Sequence, residues 1–191
     1  VIEWAGKRLG AAVIGLNPLH ALKNAKPYHM SPYSPTSRLF LNDLYIDVTQ
    51  VPECWTGPDV QRRLADPSVR SRIDAARRCE FVDYDAVRLV KREVLELCYQ
   101  VFVRDNFEGV EPELKPMTDR GRHFQHFTER EGKSLAYYAV FQALEEERQS
   151  AQQASAVWEE WPESYRTPTS EAVEEFRRQR MPRVRFFQYL Q

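Results

Sequence analysis

No stretch constrains the fold of this 191-residue chain more than the one from Ala11 to Val48. The apolar run Ala11-Ala12-Val13-Ile14-Gly15-Leu16 reads as a buried β-strand that breaks at Asn17-Pro18. A long loop follows, built around Ser31-Pro32-Tyr33-Ser34-Pro35. Regular structure resumes at Leu44-Tyr45-Ile46-Asp47-Val48, where a second strand is expected. Loops of such length inside a compact chain are uncommon and usually functional. Proline has little backbone freedom, so Pro32 and Pro35 present Ser31, Tyr33, Ser34 and Arg38 from a stiffened backbone. Hydroxyls and an aromatic ring held this way suit a neutral, hydroxylated, ring-shaped ligand, and a sugar fits that description.

The elements around the loop suggest where it sits. Residues 1–9 carry Ile2, Ala5 and Leu9 at helical spacing, with Gly10 in the C-cap position. A helix followed by a strand at 11–16 is the step of an α/β barrel. The loop leaves that strand at its C-terminal end, which is the catalytic face of (β/α)8 barrels. After Val48 the pattern turns helical. Val51 to Trp55 reads as a connector with a buried tryptophan, and helices are expected over 58–66 and 69–79, separated at Asp66-Pro67. A longer helix over 84–105 is capped by Asp83 and carries Val87, Val90, Val94, Leu97, Cys98, Val101 and Phe102 on one face. Further helices are expected over 119–131, closed by Gly132, over 135–149 with Ser134 as N-cap, and over 171–180 capped by Ser170. Pro182 interrupts, the last helix starts near Arg183, and the polar, alanine-rich 150–159 reads as a continuation or a frayed turn.

A complete barrel takes ~250 residues and eight strands, and only two strands are legible here. Glycine agrees: 7 of 191 residues is about 4%, against ~7% on average, too few for many tight βα loops. The expected fold class is α/β, part of a (β/α)8 (TIM) barrel with a large α-helical insertion, mostly helical in this chain. Residues 1–50 are read as an early barrel segment, 51–182 as the insertion, and 183–191 as the start of a helix returning to the barrel. The chain opens in helical rhythm without a methionine and closes on the amphipathic run Phe186 to Gln191, as expected of a fragment.

Composition narrows the function. The chain is 42% hydrophobic and 29% charged with a net charge of −1, a globular composition with enough apolar residues for a core. A nucleic-acid partner needs a basic face, which this balance argues against. No apolar run approaches the ~20 residues of a membrane span, and no signal peptide opens the chain. Cys54, Cys79 and Cys98 form no CxxC, and any pairing leaves one over, so reduced thiols and a cytoplasmic location are expected.

Three runs carry a family resemblance: Ile14-Gly15-Leu16-Asn17-Pro18-Leu19-His20-Ala21-Leu22, Ser31-Pro32-Tyr33-Ser34-Pro35-Thr36-Ser37-Arg38 and Leu41-Asn42-Asp43-Leu44-Tyr45-Ile46-Asp47-Val48. In order and spacing they resemble the start of the catalytic barrel of bacterial 4-α-glucanotransferases, the amylomaltase or disproportionating-enzyme family of the α-amylase clan. Echoes continue at Val82-Asp83-Tyr84, Trp161-Pro162 and Phe187-Gln188-Tyr189-Leu190-Gln191, so the resemblance covers nearly the whole chain. The sequence departs from the family at Asp43, where proline is usual, and at Lys23-Asn24, which tends to be apolar. The resemblance implies a helical subdomain inserted between early barrel strands, α-1,4-glucan oligosaccharides as partners and no cofactor. It also places Ser31 and Tyr33 in the sugar site nearest the scissile bond, with Tyr33 against a glucose face and Ser31 on a sugar hydroxyl. On composition alone the same motif is a rigid turn; the matched motif reverses that reading. Asn17, His20 and Asn42 are read as supports for the loop backbone.

Other candidates have plainer readings. Arg72-Ile73-Asp74 matches the Arg-x-Asp of the family's nucleophile, but it lies in a charged stretch with helical spacing and no preceding strand, so no catalytic role is carried over. His123, His126 and Glu129 have a spacing that can serve a metal, yet without a second ligand cluster they read as a helix surface. Trp158, Trp161 and Tyr165 read as packing rather than a glucan platform, and Glu145-Glu146-Glu147 and Arg177-Arg178 as solvated faces. Retaining glycosyl transfer needs two carboxyl groups ~5–5.5 Å apart, and no Asp/Glu pair stands here in the family's motif context. The expectation is a piece of a 4-α-glucanotransferase that holds part of the substrate site and none of the catalytic carboxylates. The alternative is a stand-alone, non-catalytic helical interaction or glucan-binding module.

Overall fold

The computed structural model describes residues 2–23, 31–150 and 158–191, with only the backbone of Ser150. Part of the long loop (24–30) and most of the alanine-rich stretch (151–157) therefore lie outside the described residues. The chain divides into two units, Val1–Tyr45 and Ile46–Gln191.

In the first unit, helix α1 (Ile2–Leu9) ends where the sequence places its stop. Gly10 takes a positive φ of 67°, as a glycine just past a helix end commonly does, and the Ala11 N–H reaches back to the Ala5 carbonyl at 3.1 Å. The expected strand at 11–16 is absent: the run is irregular, and Val13 is 87% exposed. A strand exists only where its N–H and C=O groups are paired, and a buried parallel strand needs neighbours on both sides. Among the described residues none pairs with 11–16.

Pairing begins further on. Strand β1 (His20–Ala21) lies antiparallel to β2 (Ser37–Leu41), with His20 opposite Leu41, Ala21 opposite Ser37 and a bulge between them. The second expected strand, Leu44–Val48, is replaced by short 3-10 turns at Asp43–Tyr45 and Val48–Gln50. The cause is local. Asn42 Oδ1 accepts from the Leu44 N–H at 3.1 Å, and Asp47 Oδ1 accepts from the Thr49 N–H at 3.0 Å. Such side-chain bonds offer the backbone an alternative to a ladder.

The second unit is helical: α2 (Pro52–Thr56), α3 (Pro58–Ala65), α4 (Pro67–Arg78), α5 (Tyr84–Asn106), α6 (Asp119–Ser150), α7 (Glu171–Gln179) and α8 (Met181–Tyr189). A two-residue hairpin pair, β3 (Phe107–Glu108) and β4 (Lys115–Pro116), joins α5 to α6. Proline opens α2, α3 and α4, where its missing N–H costs nothing. Asp66, Asp83 and Ser170 each cap the helix that follows by accepting from its first turn. The helices expected over 119–131 and 135–149 meet at Gly132, whose φ of 56° breaks the path within α6. Ser134 lies inside the second segment instead of capping it.

Helix α5 divides the core. Leu95 packs with Ala139, Val140 and Leu144 of α6, Phe176 of α7 and Phe187 of α8, together with the buried Trp161. Val94, Cys98 and Val101 turn toward Cys54 and Val60. Trp161, 2% exposed, stacks on Phe141 at 5.5 Å, with the Arg148 guanidinium 5.6 Å above its ring. Trp55 departs from expectation: it is 67% exposed, and its neighbours Glu53 and Cys54 are the buried residues of α2. Glu146 and Glu147 are not simply solvated either. Glu146 takes two bonds of 2.5 Å from Arg183, which also reaches Glu96 at 2.8 Å, and Glu147 accepts from Arg180 at 2.5 Å. These pairs tie α8 and its leading residue to α6 and α5.

Candidate functional site

The loop at 31–38 is closed by its own polar groups. Ser34 N–H bonds the Ser31 carbonyl at 3.1 Å, forming the turn, and Ser31 Oγ accepts from the Tyr33 N–H at 3.3 Å. On leaving the turn, Thr36 N–H donates to the Ala21 carbonyl at 2.8 Å and Asn42 N–H to the Leu19 carbonyl at 3.0 Å. The β1–β2 ladder therefore holds both described ends of the loop.

On this frame Tyr33 stands out into solvent, 68% exposed. Its hydroxyl donates to Asn17 Oδ1 at 3.1 Å, across 16 positions of sequence. Asn17 is itself exposed, as are Ser31 and Arg38. Asn42 is 3% exposed and supports the turn at Asp43–Tyr45, while the half-buried His20 sits in the ladder opposite Leu41. The structure thus brings Asn17, Ser31 and Tyr33 together and leaves His20 and Asn42 in the frame. An exposed phenol ring with polar atoms beside it offers a flat apolar face and hydrogen-bonding edges, the two surfaces a sugar ring needs.

The remaining candidates sit elsewhere. Arg72 and Asp74 lie on α4, as their spacing predicts, with Arg72 bonded to Glu93 at 2.5 Å and Asp74 paired with Arg77 at 3.8 Å. His123 and His126 are exposed on α6. Among the described residues no group of three His, Cys, Asp or Glu side chains is placed to hold a metal, and no helix is long and apolar enough to cross a membrane.

A family model described as 4-alpha-glucanotransferase matches residues 1–191, the whole chain. The chain belongs to the 4-α-glucanotransferase family. The 4-alpha-glucanotransferase of Haemophilus influenzae is 28% identical over 194 residues, which takes in 100% of this chain and 27% of that protein. Those of Mycobacterium bovis and Mycobacterium tuberculosis are each 29% identical over 195 residues, 98% of this chain and 24% of theirs. The chain spans about a quarter of the length of these curated 4-α-glucanotransferases.

In this family member the structure also assembles a polar cluster that sequence reasoning missed. Glu53, 3% exposed, accepts two bonds from Arg120, at 2.7 and 2.9 Å, and a third from the Tyr189 hydroxyl at 2.9 Å. Burial, then the Glu53 charge, push the Tyr189 phenol above its ordinary range. Beside it a cleft of 280 Å³ opens between Phe102, Phe124, Phe127 and Tyr189, with Arg120 and His123 at its edge. Nothing local marks Glu53, because its partners are 67 and 136 positions away. The one legible trace is a carboxylate next to the core residue Cys54.

Proposed function

We propose that the protein to which this chain belongs transfers α-1,4-glucan segments between maltodextrins by a retaining double displacement in the cytoplasm. In this reading a carboxylate takes the glycosyl group and a sugar hydroxyl, in place of water, receives it. The chain supplies part of the substrate site through Ser31 and Tyr33. It forms an early portion of the catalytic barrel together with its helical insertion, and the catalytic carboxylates belong to the rest of the protein.

The observation that carries the reading is the exposed Tyr33 ring on a turn braced by Pro32 and Pro35, in a chain matched by the family over residues 1–191. The span of about a quarter of the relatives' length supports the separation of substrate loop from catalytic carboxylates. Purified chain incubated with maltotriose should release no glucose and form no longer maltodextrins. Turnover by purified chain free of contaminating enzymes would contradict the absence of the catalytic carboxylates.

A further inference from the structure

Resting on the glucan reading of the loop, we propose that Asn17 is a second sugar-binding residue, acting with Tyr33 as a donor–acceptor pair for two neighbouring hydroxyls of one glucose ring. The Tyr33 hydroxyl spends its only proton on Asn17 Oδ1, at 3.1 Å. Its oxygen is then left with lone pairs, so toward a ligand it acts as an acceptor. The same contact fixes the Asn17 amide with its oxygen toward Tyr33 and its NH2 group available. Among the described residues that NH2 has no partner, and both side chains are exposed. A donor and an acceptor therefore lie side by side next to an aromatic face. Adjacent hydroxyls of a pyranose present the complementary pair, one giving its proton to the Tyr33 oxygen and the other accepting from Asn17 Nδ2. A lone phenol could satisfy only one of them.

Asn17 thus has two separable roles, to hold the Tyr33 ring and to donate to the sugar. Asn17→Asp separates them, because a carboxylate still accepts from the Tyr33 hydroxyl but has no N–H to give. Nuclear magnetic resonance of the 191-residue chain, titrated with maltotriose, reads both. Native chain should show saturable shifts of the Tyr33 ring and the Asn17 side-chain amide. Asn17→Asp should keep the sugar-free Tyr33 ring signals near their native positions while affinity falls roughly three- to tenfold, the worth of one hydrogen bond. Asn17→Ala should move the sugar-free ring signals and lose at least as much affinity. Native affinity in Asn17→Asp overturns the donor role alone, and unmoved ring signals in Asn17→Ala overturn the holding role. A native chain whose Tyr33 signals ignore maltotriose overturns the donor–acceptor pair, whereas the glucan reading of Tyr33 is decided separately in the complete enzyme.

Discussion

Tyr189, near the end of α8, donates its hydroxyl to the carboxylate of Glu53 in α2 at 2.9 Å, across 136 positions of sequence. Arg120 of α6 holds the same carboxylate through both oxygens, so three helices share one buried charge. A carboxylate at this depth is tolerable only with all its partners in place. Glu53→Ala should therefore destabilise the chain by about 2 kcal/mol, discounted because the Arg120 side chain is 45% exposed. Tyr189→Phe should cost about 1 kcal/mol. The double variant should cost less than the sum, as a chemical-denaturation cycle will show.

Two carboxyl groups should move stability with pH in opposite directions. Burial raises Glu93, but hydrogen bonds from Arg72 and Arg63 outweigh it and hold the group below 4.5. A lowered folded pKa stabilises above the unfolded value, and that contribution is lost as pH falls through the folded one. Glu93 therefore latches α3 and α4 to α5 at neutral pH and releases them in acid. Glu93→Gln should flatten the acid limb of a melting-temperature profile below about pH 4.5.

Glu111 shows the reverse sign. Burial raises it, and Arg185 at 2.8 Å only partly offsets this. Its folded form holds the proton longer, so its contribution is fully present below 4.5 and lost as pH rises through the folded pKa. Glu111→Gln should remove that decline from the same profile.

Thiol chemistry should be confined to one position. All three cysteines are free, Cys79 is exposed, and Cys54 and Cys98 are buried. Burial pushes the Cys98 thiol up to about 12 and also raises Cys54. Alkylation of the folded chain near neutral pH should therefore modify Cys79 and spare the other two until the chain unfolds, as mass spectrometry of the peptides will show.

What the sequence made legible were features closed by near neighbours. Asp83 and Ser170 cap their helices as expected because a cap and its N–H lie three residues apart. Gly10 ends α1 for the same reason. Contacts made at a distance were not legible. Glu146 and Glu147 read as surface until Arg183 and Arg180 arrive from 37 and 33 positions away. Residues 11–16 have the composition of a strand, but a strand needs a partner, and hydrophobicity does not supply one. The turns at Asn42 and Asp47 were legible in principle; their side-chain bonds were outweighed by an apolar pattern that suggested extension. At the loop, Asn17 and Tyr33 were each singled out from sequence, while the bond joining them required the fold.

The grip of the braced Tyr33 on glucose is what the glucan reading proposes. Its most direct test is the steady-state kinetics of Tyr33→Ala in an otherwise complete 4-α-glucanotransferase carrying this segment, with maltodextrin as substrate. The ring is exposed, so the melting temperature should stay near native. The predicted result is a fall in kcat/KM of about tenfold or more, as when an orienting substrate contact is lost. Unchanged kcat/KM in a folded variant would contradict the account.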